Sequence, residues 1–433
     1  MSFIGSLCIA ADSSVPNINQ PLTLIQLTDI ALSNNPQTQI AWATIRESRA
    51  GVALARAGYW PVVNANYSFM INKQVNFSGS SVGRQTRYGP SVSLSYLLWD
   101  FGNRSGTMDS SKFALTAAQL SSDQTMQDVI LQVEQVYYQV LGLEALLKAN
   151  KRNLKDSKTS LEVAQQRKKA SLATIGDVYQ AEAALASSNL ALQQTQGNLA
   201  IAQGQLAVAT GYSADTKLLL APLQPVKSPQ LPQQDVTSLI KLAHQSRPEL
   251  LASKAREQQA VSNLEAIRGK GLPTLMLNAN AAHNTSLLRG TSINTNSYSA
   301  GVSLSMPLFD GFGDQAAKQQ AQAAIDIAQA TTKQLQQQVE LEVWQAYQNM
   351  RTAATDVTTT LVQFKSAKQA ADVASARYKT GLDSILNMLT AQSTVANARV
   401  QRVQAQLNWF AALAALGHAV GGLTSPSTLP ELK

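Results

Sequence analysis

An interior proline removes a backbone donor and clashes with the preceding turn, so the places where a chain lacks proline decide where long helices can form. Of the 14 prolines, none falls between Pro90 and Pro222 and none between Pro307 and Pro426. They gather near the N-terminus and around residues 222–248, with Pro61, Pro90, Pro273 and Pro307 standing apart. Sliding the chain on itself by about 210 residues aligns its two halves. Asn35-Pro36 meets Arg247-Pro248, Pro61 meets Pro273, and Val92-Ser93-Leu94-Ser95 meets Val302-Ser303-Leu304-Ser305. Trp99-Asp100 then meets Phe309-Asp310, Tyr137 meets Tyr347, Arg167 meets Arg377 and Gly211 meets Gly421. The pattern reads as one structural unit used twice.

Each half contains a coiled-coil seam. Val129, Val133, Val136, Val140, Leu143 and Leu147 step by three and four, the spacing that keeps one apolar stripe on a helix. A helix from about Arg104 to Lys168 would run about 100 Å at 1.5 Å per residue. Its return partner places Val178, Leu185, Leu192, Leu199 and Leu206 at every seventh residue, with small Ala181, Ser188 and Ala202 between them. The second half offers Leu335, Val339, Val343, Ala346, Met350 and Ala353, returning through Met388, Val395, Trp409 and Leu416, a return seam that Arg402 interrupts. Taken alone, such seams also suit a soluble periplasmic coiled-coil scaffold or adaptor.

Two period-two segments precede each long helix. Val63, Ala65, Tyr67, Phe69 and Ile71 alternate with polar residues, as do Val92, Leu94, Tyr96 and Leu98. In the second half the apolar sets are Leu275, Leu277, Ala279 and Ala281, then Tyr298, Ala300, Val302, Leu304 and Met306. Polar Gly/Ser/Asn-rich stretches at 73–89 and 283–297 separate the members of each pair and are expected to be loops. Strands with an apolar outer row and a small polar inner row are the outer-membrane barrel pattern. Four strands cannot close a barrel and open edges are not tolerated in lipid, so copies must join in a ring. Two would give eight strands, three twelve and four sixteen. Tyr59, Trp60, Tyr96, Trp99, Tyr298 and Phe309 fall near the expected strand ends, where they suit an interfacial girdle against outer-membrane lipid or packing between barrel and helices.

Composition narrows the chemistry. Charged residues make up 14% of the chain, against about 25% in average soluble domains. The net charge of +8 is spread thinly, without the interleaved aromatics that single-stranded nucleic acid needs, so no nucleic-acid partner is expected. Cys8 is the only cysteine, which excludes an intrachain disulfide and a thiolate metal cage. His244, His283 and His418 are far apart and read as packing or surface residues, so neither metal nor cofactor is expected. No phosphate-binding loop, nucleophile elbow or zinc-protease helix is present, so no catalysis is expected. No apolar run reaches 18 residues, the length a transmembrane helix needs. Residues 1–11 read as the end of a secretory leader cleaved before Asp12, although no basic residue precedes Arg46.

These residues together resemble the TolC-like outer-membrane channel proteins of Gram-negative export and efflux systems, from about Leu22 to Gly422. The specific pieces are Ala57-Gly58-Tyr59-Trp60-Pro61, Pro307-Leu308-Phe309-Asp310-Gly311 and Arg377-Tyr378-Lys379-Thr380-Gly381-Leu382. The resemblance implies a mixed α/β membrane protein. Its long coiled-coil helices would form a periplasmic α-barrel, and its four strands would contribute to a homotrimeric twelve-stranded β-barrel. It also implies a passive exit duct of a tripartite pump or type I secretion system, driven by an inner-membrane pump through a periplasmic adaptor. On this reading 1–11 is the leader remnant, 12–58 holds the first helices, 59–101 the first β-hairpin and 102–212 the first helical hairpin. An equatorial linker occupies 213–247, followed by a helix at 248–270, the second β-hairpin at 271–309, the second helical hairpin at 310–422 and a tail at 423–433.

Family channels rest closed where the helical hairpins converge, which the resemblance places near Lys169–Asp177 and Lys379–Asn387. Tyr378 and Asp177 occupy positions where the family often sets a polar constriction. Asp383 stands where a basic partner is frequent, and Asn387 and Thr390 stand where acidic rings can occur, which leaves Lys379 or Lys169 to supply positive charge. A threefold ring of Asp177, reinforced by Asp383, would favour cations; alternatively both acids simply cap the tips. The basic run Lys148, Lys151, Arg152, Lys155, Lys158, Arg167, Lys168 and Lys169 is either a solvated helix face or an adaptor-docking surface.

Overall fold

The computed structural model describes residues 20–75, 81–221, 229, 235–288 and 291–422. The leader segment with Cys8, residues 222–228 and 230–234 of the proline-rich linker, and the tail lie outside the described residues. The elements run α1 (Leu24–Asn34), α2 (Pro36–Ala57), β1 (Val62–Val75), β2 (Ser81–Trp99), α3 (Asn103–Lys169) and α4 (Ile175–Ala209). The same order then follows with α5 (Val236–Ser246), α6 (Pro248–Lys270), β3 (Thr274–Leu288), β4 (Thr291–Ser305), α7 (Gly313–Thr380) and α8 (Ile385–Ala419). No helix among the described residues is long and apolar enough to cross a membrane. The chain divides into two compact units: Met1–Trp42 with Ser122–Pro248 and Gln336–Lys433, and Ala43–Ser121 with Glu249–Leu335.

The second of these units holds a four-stranded antiparallel sheet in the order β1-β2-β3-β4. Its registers place Val63, Leu94, Ala279 and Ala300 in one row, and Ala65, Val92, Ala281 and Tyr298 in the row two residues away. Between them lies the row Asn64, Ser93, Asn280 and Ser299. Because paired residues share a face and successive residues alternate, the sheet is apolar on one side and small and polar on the other. A register shift between Leu97 and Trp99 returns Trp99 to the row of Leu275 and Leu304. β1 and β4 are left as edges.

The expected loops at 73–89 and 283–297 are a correction: β2 already begins at Ser81, β3 runs to Leu288 and β4 starts at Thr291. Loss of the apolar row does not end a ladder built from backbone groups, and polar cross-strand pairs sustain it. His283 Nδ1 lies 2.6 Å from Asn296 Oδ1, and Thr285 donates to Asn294 Oδ1 at 2.9 Å. Gly89 is confined by β3, since a Cβ there would sit 1.8 Å from the His283 carbonyl oxygen.

Each β-hairpin turns into its long helix through a left-handed corner, Phe101-Gly102 and Gly311-Phe312. An aspartate caps the helix that follows. Asp100 Oδ2 accepts from the Arg104 amide at 2.7 Å, and Asp310 Oδ2 accepts from the Asp314 amide at 2.6 Å. Asp100 also pairs with Arg104 Nε at 3.3 Å, while the Arg104 guanidinium donates to the Gly58, Leu97 and Leu98 carbonyls and lies over the Tyr59 ring.

In the other unit the predicted seams are the core. Val129, Val133, Val140, Val178, Leu192, Leu206, Val339, Val343, Met350, Met388, Val395, Trp409 and Leu416 are all buried. Arg402, which breaks the return seam, places its guanidinium 5.3 Å from the Phe364 ring centroid. Asn35 and Arg247, aligned in the sequence, make the same contact: Asn35 Nδ2 donates to the Ala209 carbonyl at 3.0 Å, and Arg247 Nη1 to the Ala419 carbonyl at 3.2 Å. Those carbonyls end α4 and α8, where a helix leaves acceptors unpaired. His244 and His418 face Glu340 and Asp128 at 3.3 and 2.8 Å.

Glu134 on α3 is only 4% exposed. Burial pushes its carboxyl up to about 7, and nearby His418 opposes the rise. A carboxyl bound more tightly to its proton when folded favours folding at low pH, and that advantage disappears as pH rises through 7. Glu134→Gln should therefore stabilise the protein at pH 8 by about 2 to 3 kcal/mol and barely change it near pH 4.5. Thermal melts at the two pH values test this; equal gains at both would mean that ionisation of Glu134 is not the cause.

Candidate gate at the helical hairpin tips

The tips at 169–177 and 379–387 are built alike because the same end chemistry closes each helix. After α3, the Leu172 amide donates to the Arg167 carbonyl at 2.8 Å and the Ser171 amide to the Lys168 carbonyl at 2.9 Å. After α7, the Leu382 amide reaches the Arg377 carbonyl at 2.9 Å and the Gly381 amide the Tyr378 carbonyl at 3.0 Å. This is the Schellman ending, which needs one left-handed residue. Gly381 fills that place at φ 83° and Ser171 at φ 60°.

The return helices start on hydroxyl caps. Thr174 Oγ1 accepts from the Asp177 amide at 3.2 Å while Asp177 Oδ2 accepts from the Thr174 amide at 3.2 Å, a reciprocal capping box. Ser384 Oγ accepts from the Asn387 amide at 3.3 Å. Asp383 Oδ1 accepts from Asn387 Nδ2 at 2.7 Å and from the Ser384 amide at 2.8 Å. Those two bonds hold the Asp383 carboxyl below the usual carboxylate range, and Arg377, 3.6 Å away, adds to the effect. Asp177 therefore caps α4 within the chain, and Asp383 braces the Ser384 cap of α8 through the Ser384 amide and the Asn387 side chain.

Tyr378 is 2% exposed, packed with Ala164, Val178, Ala181, Ile385 and Met388. Its hydroxyl has no hydrogen-bond partner among the described residues. Burial pushes the phenol up, the Asp177 carboxylate pushes it further and Arg167 opposes both. Arg167 ties the tips together. Nη1 donates to the Tyr378 carbonyl at 2.6 Å and to that of Lys379 at 3.0 Å, Nη2 donates to Leu172 at 3.3 Å, and the guanidinium stands 4.9 Å from the Tyr378 ring centroid.

Within one chain the tip cations in contact are arginines. Neither Lys169 nor Lys379 pairs with an acid among the described residues; Arg377 meets Asp383, and Arg167 meets Tyr378. The sequence alignment of Arg167 with Arg377 was the available signal. Lys148, Lys151, Arg152, Lys155, Lys158, Lys168 and Lys169 are exposed, while Arg167 is drawn inward.

Above the tips, α3, α4, α7 and α8 line a groove of about 640 Å³. Polar side chains cross between the helices. Asn150 donates to Thr195 and Ser157 meets Ser188, each at 2.8 Å, while Ser160 donates to Gln392 at 2.8 Å and Arg399 donates to Asn153.

The aromatic set divides by location. Tyr59 lies under Arg104, Trp60 is exposed before β1, Trp99 ends β2 edge-on to Phe101, and Phe309 stands edge-on to Phe312. Tyr96 is half-buried opposite Leu277. Tyr298 is not near a strand end: β4 starts at Thr291, so Tyr298 lies mid-strand opposite Ala281, 81% exposed.

With this geometry in hand, comparisons with known proteins agree in kind. Protein CyaE of Bordetella pertussis is 29% identical over 404 residues, covering 92% of this chain and 84% of that protein. The outer-membrane channel OprN shares the fold with a TM-score of 0.83 at 24% identity, over 92% of this chain and 90% of that one. The outer membrane protein VceC from Vibrio cholerae does so with a TM-score of 0.81 at 20% identity, over 92% and 96%. The outer membrane efflux protein family matches residues 27–212 and 239–422. Since that match takes in both tips and both β-hairpins, this chain belongs to the outer membrane efflux protein family, whose members are transport channels of the Gram-negative outer membrane.

Proposed function

We propose that three copies of this chain close their sheets into a twelve-stranded barrel and act as the passive exit duct of a tripartite efflux pump or type I secretion system. A periplasmic adaptor and an inner-membrane pump supply the driving force. The observation that carries this reading is the sheet itself, whose apolar and polar faces stay in register over four strands while β1 and β4 remain unpaired. In lipid those edges must find partners, and a copy offers β1 to the β4 of its neighbour. The apolar face of β2 extends from Tyr88 to Trp99. That is about 36 Å along the strand, or about 28 Å of height at a tilt of about 40°, close to the band of about 25 Å in outer-membrane barrels.

The tips form the periplasmic gate. Within one copy Asp177 is occupied in the α4 cap, Asp383 is held by the Ser384 amide and Asn387, and the unbonded Tyr378 Oη is buried in the tip packing, so on this reading Tyr378 acts on the gate from inside the packed tips rather than by bonding a second copy. The helical hairpins close around the axis and separate to open, and charges at the constriction bias ion passage.

Two measurements test the reading. Asp177→Ala with Tyr378→Phe should raise single-channel conductance severalfold. Tyr378→Phe removes no bond inside the chain, so unchanged conductance in a folded trimer would take both residues out of the gate. Leu94→Arg should hinder insertion, since a lipid-facing charge near the midplane costs about 2 to 4 kcal/mol. Normal insertion of that variant would reverse the assignment of the faces.

A further inference from the structure

The β-hairpin segments 61–99 and 271–309 contain no Asp or Glu, yet they carry Lys73, Arg84, Arg87 and Arg289. The β1–β2 register sets Lys73 directly opposite Arg84, and both are exposed. Counting by alternation, Lys73 shares the face of Phe69 and Ile71, and Arg84 that of Tyr88 and Thr86. This is the apolar face. Arg87, opposite Met70 and Ser286, belongs to the polar face.

The order along the apolar face is informative. Phe69 and Tyr88 are paired in the ladder and stack with centroids 6.4 Å apart. Lys73 and Arg84 follow four residues further toward the hairpin turn, about 13 Å along the strands. An apolar band, then an aromatic pair, then cations is the sequence of environments from hydrocarbon through interface to head groups. The turn ends lie opposite the ends that join the helices, so on the channel reading they face the exterior.

Like charges set directly opposite each other destabilise a strand pair, and neither residue forms an ion pair among the described residues. Arg104, at the helix-joined end, differs because Asp100 and three carbonyls meet its charge. A phosphate between Lys73 and Arg84 would turn that repulsion into charge-assisted bonds, with the guanidinium fork taking two oxygens. Phe69, Ile71 and Tyr67 below would cover the attached acyl chains.

We infer that Lys73 and Arg84 bind the phosphate of an outer-leaflet lipid head group. The inference rests on the channel reading, which puts this face in lipid. The test is native mass spectrometry of the full chain in neutral detergent, titrated with lipid A as a phosphomonoester glycolipid. The wild type should retain the lipid. Lys73→Gln with Arg84→Gln should bind at least about tenfold more weakly, as expected for losing two charge-assisted contacts. Arg87→Gln on the other face should bind as the wild type does. Dephosphorylated glycolipid should bind no variant better than another, and inorganic phosphate should not displace lipid A. Equal retention by the double variant, or displacement by inorganic phosphate, would overturn the proposal. Conductance in bilayers free of phosphomonoester lipids separates the two claims. A wild type that forms no channels there would sink the channel reading, whereas channels from both wild type and double variant leave it standing whatever the lipid result.

Discussion

A backbone N–H or C=O placed in hydrocarbon without a partner costs several kcal/mol, and a sheet edge is a row of them. That constraint governs the strand-bearing half of this chain. Four strands leave two edges, on β1 and β4, and an apolar face that must also be covered. On the proposed channel reading, lipid would cover the face and neighbouring copies would pair the edges. The small polar face, rich in Asn and Ser, keeps backbone pairing intact while leaving room on the side that a closed barrel would enclose.

A related rule governs the helices. Each helix ends with carbonyls that lack amide partners, and here side chains from other elements reach them. Asn35 takes the end of α4, Arg247 that of α8 and Arg167 that of α7. Because each donor comes from a separate element, a helix end is fixed to its neighbour as well as capped. At the tips this makes Arg167 a positioning residue for Tyr378: it holds the backbone on one side of the ring and lies against its face. The polar crossings from Asn150 to Thr195 and from Ser160 to Gln392 set register along seams that Ala and Leu alone would leave slippery.

Much of this architecture was legible because it rests on periodicity. Proline-free runs, seams at three and four, and alternation at two each express a geometric repeat that local sequence must obey. The strand ends were less legible. Past Ile71 and before Tyr298 the apolar row gives way to polar residues, and hairpin pairing continues through backbone bonds that no side-chain pattern records. For Asp177 the capping alternative named from the sequence is the one seen within the chain, as the reciprocal box with Thr174, because a residue three positions into a helix whose first turn lacks amide partners can reach back to the cap.

What the sequence by itself determined is the four strands and the long helical hairpins, their order and the face each presents, since those follow from proline exclusion and hydrophobic period within a few neighbouring residues; α5, inside the stretch read as a linker, was not among them. What only the tertiary structure decided is which distant groups meet. Arg167 rather than Lys169 or Lys379 faces Tyr378, β2 lies against β3 although α3, α4, α5 and α6 intervene in the sequence, and Lys73 stands opposite Arg84. Those outcomes depend on strand register and helix phase, quantities in which a shift of one residue moves a side chain to the other face, and no local pattern encodes them.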